Sequence, residues 1–404
     1  MGKENKVTWT KEQQKVISQR DCNILVSAAA GSGKTAVLVE RIITMITDKE
    51  NPIDIDQLLV VTFTNAAAAE MRERIGKAIE KKLESEPDNV HLQKQATLVR
   101  NAQITTLHSF CQNVIRNYFN EIDLDPNFRI GDETELTLLK NDVLDEVFEG
   151  YYEKGEEGFL ELVECYSGSK SDQGLVNLVL QLHTFAMSYP WPKEWLRGTL
   201  APFRVSSVEE LEDAAWLKPM FDFVQGTVKA LIERTKSSLS ICDGAAGPYM
   251  YREALEEDLA LLEDLENMKS YVQMNELLQD YKWKALSRKK DDDVDTDKRE
   301  KVKESRAIVK KAVEDLKKQF FFQDTESMIL DMQQLEKPMT ALVDLTESFL
   351  DAYTQKKTEK CILDFNDLEH YALQILVKKE GDKVIPTPVA EEYSHHFVEI
   401  LVDE

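Results

Sequence analysis

The stretch NILVSAAAGSGKTAVLV, Asn23 to Val39, decides how the rest of the chain is read. Asn23–Val26 is a short apolar run, long enough for a buried strand. Ser27–Ser32 is a loop of small residues that contains Gly31, with Gly33 directly after it. Lys34 and Thr35 then open an apolar-periodic helix through Val37, Leu38 and Ile42. A phosphate chain needs this order of parts. Small side chains let backbone N–H groups close around the oxygens, and the helix N-terminus adds its partial positive charge. From there Lys34 reaches the β- and γ-phosphates of a nucleoside triphosphate and the Thr35 hydroxyl ligates Mg²⁺. The pattern G-x4-G-K-[ST] is met except at its first position, where Ala28 stands for Gly. The nucleotide-binding candidates are therefore Ala28, Ala29, Ala30, Gly31, Ser32, Gly33, Lys34 and Thr35.

Working outward, residues 7–20 read as a short helix with Thr8 or Thr10 as its N-cap. It carries Gln13, whose side-chain amide offers the donor and acceptor that an adenine edge requires. Downstream, Leu58–Phe63 (LLVVTF) is a second buried strand, followed by a helix from about Ala66 to Leu83. Thr64 and Asn65 stand at the tip of that strand, where they either bond a phosphate or sugar or cap the helix. Gln103–Thr106 is a third strand, leading into a helix over 108–120. His108 and Phe110 sit at that junction, as a phosphate or base contact and a stacking ring, or as a cap and a core residue.

From about Asp132 to residue 360 helical periodicity runs almost throughout, so the chain carries a mostly α insertion of over two hundred residues. Cys361–Lys379 returns with an acidic turn and an apolar-periodic helix. Phe397–Val402 is a buried strand that ends in Asp403 and Glu404. Carboxylates at a strand tip complete nucleotide chemistry: Asp403 holds Mg²⁺ and Glu404 orients and deprotonates the attacking water. Four strands with functional residues at their C-terminal tips describe an α/β fold, a parallel sheet with its site on that edge.

Composition sets the class. With 42% hydrophobic and 31% charged residues the chain is globular, and no apolar run approaches a membrane span. Five scattered cysteines with no C-x-x-C pair suit a reduced, cytoplasmic protein. The net charge of −24 argues against nucleic acid, but its distribution softens that. Residues 1–130 hold 17 Lys+Arg and 17 Asp+Glu and are neutral, so the remaining 33 and 57 in 131–404 carry the whole excess.

The order of segments resembles superfamily 1A helicases of the UvrD/Rep class. It runs from Gln13 through AAAGSGKT at 28–35, VTFTNAAAAEMRERI at 61–75, TTLHSF at 105–110 and DFNDL at 364–368 to VDE at 402–404. Within that class the chain resembles the AddA-type helicase–nuclease subunits of Gram-positive bacteria. The resemblance implies a RecA-like P-loop domain, 1A, made of residues 1–130 and 361–404, with residues 131–360 as a helical 1B insertion. It implies ATP and Mg²⁺ as cofactors, Gln13 reading adenine, and Lys34, Asp403 and Glu404 in catalysis, with Thr35 and Asp403 on the metal. It further implies DNA at Thr64, Asn65, His108 and Phe110, and an AddB-like partner subunit. The chain stops at Glu404, inside the Walker B motif. A second RecA-like domain and a nuclease domain are therefore expected outside it. Two alternatives stay open: a non-catalytic nucleotide- or DNA-binding fragment, and a UvrD-type repair helicase without nuclease.

Overall fold

Thr10 starts the first helix. Its hydroxyl accepts the Gln13 N–H at 3.2 Å while Gln13 Oε1 accepts the Thr10 N–H at 2.9 Å, a reciprocal cap that opens α1 (Lys11–Ser18). The structure, a computed structural model, describes residues 8–29, 31–167, 171–289 and 291–403. Ala30 and Glu404, both named above as site residues, lie outside the described residues.

The strand expected at Asn23–Val26 is not formed. Among the described residues the segment pairs with no other, Leu25 is 96% exposed and Val26 is 42% exposed. A strand exists through its neighbour, which takes up its N–H and C=O groups. An apolar run cannot say whether that neighbour is there.

The chain then builds α2 (Lys34–Ile46), β1 (Leu58–Thr62), α3 (Asn65–Ser85), α4 (Val90–Leu98), β2 (Ile104–Thr106), α5 (Leu107–Tyr118) and a two-residue β3 (Arg129–Ile130). A run of helices follows: α6 (Glu133–Lys154), α7 (Glu157–Tyr166), α8 (Gln173–Ala186), α9 (Pro192–Gly198), α10 (Val208–Glu212), α11 (Leu217–Asp243), α12 (Arg252–Asn267), α13 (Tyr271–Asp280), α14 (Thr296–Phe320) and α15 (Thr325–Glu359). The return leg is β4 (Ile362–Leu363), α16 (Phe365–Leu376), the hairpin β5 (Val377–Glu380) and β6 (Lys383–Pro386), α17 (Pro388–His396) and β7 (Glu399–Asp403).

Two compact units result, Met1–Asp142 with Tyr353–Glu404, and Val143–Ala352. In the first unit a three-stranded parallel sheet runs in the order β2-β1-β7, with Thr62 level with both Thr106 and Asp403. The C-terminal tips of all three strands are thereby aligned. β1 is central and buried along its whole length, as a continuous apolar run should be. Ile42, Ile46, Met71, Ile75 and Leu401 close over the sheet as one core. A second core packs Val114 and Ile115 of α5 against Leu368, Ala372 and Ile375 of α16. β7 differs from the buried strand expected over Phe397–Val402: Leu401 is buried, but Ile400 and Val402 are 63% and 72% exposed, and Val398, just before the strand, is 58% exposed. It is an edge strand among the described residues, pairing only with β1. The second unit has its own core, built chiefly by α11, α12, α13 and α14 around Val228, Leu262, Met274 and Val313. No helix among the described residues is long and apolar enough to cross a membrane.

Candidate active site

The loop before α2 turns on two glycines. Gly31 has φ +78° and Gly33 φ +85°, the left-handed region that side chains with a Cβ rarely enter. Gly33 is also the N-cap of α2 and supplies no side-chain oxygen. The first N–H groups of the helix are therefore left without a capping side chain, the arrangement that an anion can fill. Lys34 Nζ donates to the Ala28 carbonyl at 2.8 Å, so the ammonium is folded back across the loop. Gln13 Nε2 donates to the Ser32 carbonyl at 3.2 Å, which brings the amide of α1 to the same loop from the other side.

Thr35 lies one residue into α2. Its hydroxyl donates to Asp403 Oδ2 at 3.3 Å, across 368 positions of sequence. The two residues expected to share a cation are thus brought together at the C-terminal tip of the sheet. The oxygen pair fits Mg²⁺, a hard cation that takes one or two protein oxygens and fills its shell with phosphate oxygens and water. Among the described residues no three His, Cys, Asp or Glu side chains form a metal cluster of their own.

A second group of expected residues gathers beside it. Thr64 caps α3 by accepting the Ala67 N–H at 3.1 Å, and Asn65 begins that helix at the surface. His108 opens α5, directly after β2, with Nε2 3.1 Å from Glu369 Oε1. Of the two readings left open for Phe110, stacking ring or core residue, its packing is nearer the second. The ring is half-buried, packed edge-on against Tyr393 at 5.8 Å and Phe397 at 6.3 Å. An apolar ring is better satisfied in that aromatic cluster than against water. The exposed rings are others: Phe63, 86% exposed at the tip of β1, and Phe365, 57% exposed and edge-on to His108 at 5.1 Å.

DFNDL reads as an acidic turn in the sequence, which gives no sign that Phe365 is exposed. It sits inside a cap: the Asp367 N–H donates to Asp364 Oδ1 at 3.0 Å and the Asp364 N–H to Asp367 Oδ2 at 2.8 Å. Lys357 Nζ, 3% exposed, donates to Asp364 at 2.9 Å and to both Asp367 oxygens at 2.6 Å. Burial pushes the Asp367 carboxyl up. Burial acts on Asp364 the same way, but the Lys357 ammonium outweighs it and holds that carboxyl below its ordinary value. The spacing D-x-x-D was the available signal for a rigid cap with its first residue turned outward.

Residues 9–404 match the UvrD/REP helicase N-terminal domain family. The chain belongs to that family. It is 50% identical over 404 residues to an ATP-dependent helicase/nuclease subunit from Lachnoclostridium phytofermentans, covering 99% of this chain and 29% of that protein. Proteins of the same name from Clostridium perfringens strain 13 and Oceanobacillus iheyensis are 44% and 40% identical, each match covering 98% of this chain and 32% of the relative. The chain thus spans about a third of the length of the curated relatives it matches. As a UvrD/REP helicase N-terminal domain it is mostly helical around a small parallel sheet.

Proposed function

We propose that this chain is the ATP-binding motor portion of a DNA helicase–translocase, belonging to a helicase–nuclease that acts in double-strand-break repair and recombination. The observation that carries the reading is the meeting of Thr35 and Asp403 at 3.3 Å, one residue from Lys34, at the aligned strand tips. In this reading the first unit is a RecA-like 1A domain of residues 1–130 and 361–404, and residues 131–360 are its 1B insertion. Lys34 exchanges the Ala28 carbonyl for β- and γ-phosphate oxygens. Thr35 and Asp403 hold Mg²⁺, which supplies charge neutralisation when bound. Gln13 turns its amide from Ser32 to the adenine edge. Glu404 is assigned the attacking water.

Single-stranded DNA is assigned to the adjoining surface. Phe63 and Phe365 offer exposed π-faces to bases, His108, Thr64 and Asn65 offer polar contacts to phosphates, and Phe110, packed against Tyr393 and Phe397, is assigned to the same surface. The names of the relatives favour a helicase–nuclease over a repair helicase without nuclease. An AddB-like partner subunit belongs to the same proposal. Because the chain spans about a third of those proteins, nucleotide binding is assigned to this chain and full turnover to the longer protein.

The test is nucleotide binding and ATP hydrolysis by this chain, with and without single-stranded DNA, beside its Lys34→Ala variant. Expected is Mg²⁺-dependent ATP binding that Lys34→Ala reduces by about a hundredfold or more, several charge-assisted bonds being lost. Equal binding by both proteins would sink the assignment. DNA-stimulated turnover by this chain alone would move catalysis into it.

A further inference from the structure

Arg41 lies in the middle of α2 with its side chain 5% exposed. A buried guanidinium demands partners for all its donors. Arg41 finds them on two other elements. Its Nη1 donates to the carbonyl of Val16 and to that of Gln19 at 2.7 Å, both at the C-terminal end of α1. Its Nε and Nη2 both reach Glu399 Oε1, at 2.6 and 2.5 Å, at the start of β7. The last carbonyls of a helix have no partner within it. Here two arginines take them: Arg41 as described, and Arg20, whose Nη1 donates to Ile17 at 2.7 Å and Gln19 at 3.0 Å.

Each of the three elements bears a site residue. α1 carries Gln13, α2 begins with Lys34 and Thr35, and β7 ends in Asp403. Thr35–Asp403 and Arg41–Glu399 fasten α2 along β7 at two points. They are spaced by six helical residues, ~9 Å, and four strand residues, ~13 Å. The second fastening is the one that also grips α1.

We propose that Arg41 is a positioning residue that sets the adenine-reading helix α1 against the phosphate-binding helix α2 and the carboxylate strand β7, so that base recognition depends on a side chain that touches no nucleotide. This rests on the proposed reading of Gln13 as the adenine contact. Without Arg41, α1 keeps its N-terminal cap but loses the fixed distance between Gln13 and the loop of Ser32. The phosphate contacts of Lys34 and Thr35, which lie within α2 itself, remain.

The experiment is equilibrium binding of fluorescent ATP and GTP analogues and of inorganic triphosphate, with Mg²⁺. It compares the unchanged chain, Gln13→Ala, Arg41→Lys, Arg41→Met and the double variant Gln13→Ala/Arg41→Lys. Arg41→Lys keeps a cation beside Glu399 and guards against loss of the fold. The expected result is a fall of about tenfold in ATP-over-GTP preference for both Arg41 variants, the worth of one well-placed hydrogen bond pair. Triphosphate affinity should change by less than about twofold, and the double variant should be no worse than Gln13→Ala, as for residues acting through one contact. Unchanged preference in folded Arg41→Lys, or parallel loss of triphosphate affinity, overturns the proposal. If the unchanged chain shows no preference, or Gln13→Ala keeps it, the adenine reading fails first and takes the proposal with it. Failure of the adenine reading is thus seen in the unchanged chain and in Gln13→Ala, and failure of the positioning role in the Arg41 variants.

Discussion

At the scale of single residues the site turns on two oxygens. Asp403 sits at the tip of an edge strand, and its carboxylate is the anionic half of the pair with Thr35. Asp403→Asn keeps the shape and removes the charge. The expected outcome is that nucleotide binding loses its dependence on Mg²⁺ while metal-free binding stays within about twofold, since the loop and Lys34 are unchanged. Titration of affinity against Mg²⁺ checks this, and an unaltered Mg²⁺ response would remove Asp403 from the metal. Thiol chemistry gives an independent residue-scale check on the core. Burial raises the Cys111 thiol to about 11, whereas Cys22 is exposed. Two units above the ordinary thiol value lower the thiolate fraction at mild alkaline pH by roughly a hundredfold, so alkylation should label Cys22 first and Cys111 only after unfolding. Peptide mapping of the labelled chain reads the order directly.

Elements show how the local code and the long-range code divide. The loop and start of α2 were legible because they are written in adjacent residues: two glycines with positive φ, then Lys34 and Thr35 opening the helix. The Thr10 cap, the buried run of β1 and the helices of the insertion were legible for the same reason. Three features were not. Asn23–Val26 has the composition of a strand without a partner beside it. Phe365 is exposed because a cap fixed by Lys357 turns it outward. Arg41 looks like an ordinary polar residue of a helix surface until α1 and β7, 25 and 358 positions away, enclose it. Each depends on what packs against the element, which no window of sequence contains.

The cap of α16 yields an element-scale prediction. Lys357→Met leaves Asp364 and Asp367 buried without their cation, at a cost of about 3–5 kcal/mol near neutral pH. The sign follows from the carboxyls. In the unchanged protein Asp364 lies below its unfolded value, so its contribution is present above that value and lost as pH falls. Asp367 lies above its own, so its contribution opposes this and is lost as pH rises. Removing Lys357 raises both carboxyls, and the variant then gains relative stability as protons return. Urea unfolding should show the gap between the two proteins narrowing as pH drops from about 7 to about 4. A gap constant with pH would mean that Lys357 acts through packing alone.

For the whole molecule the separate cores matter most. The two units bury different residues, and four of the five tryptophans, Trp191, Trp195, Trp216 and Trp283, belong to Val143–Ala352. Trp9→Phe makes tryptophan emission a reporter of that unit alone. Saturating ATP is expected to delay the exposure of Cys111, in the first unit, and to leave the emission midpoint unchanged, because a ligand stabilises only what it binds. A joint shift would show a single cooperative molecule. The charge is shared between the units: Met1–Asp142 with Tyr353–Glu404 holds 24 Lys+Arg and 32 Asp+Glu, Val143–Ala352 holds 26 and 42, and this acidic excess on both favours dispersal of the chain. One feature runs against that dispersal. Among the described residues β7 pairs on one side only, and Ile400 and Val402 within it, with Val398 just before it, are exposed. Such a border is a template on which further strands assemble into cross-β deposits. The shelf life of the purified chain is therefore expected to fall steeply with concentration, as collisions between two such borders become frequent, which light scattering against concentration would read.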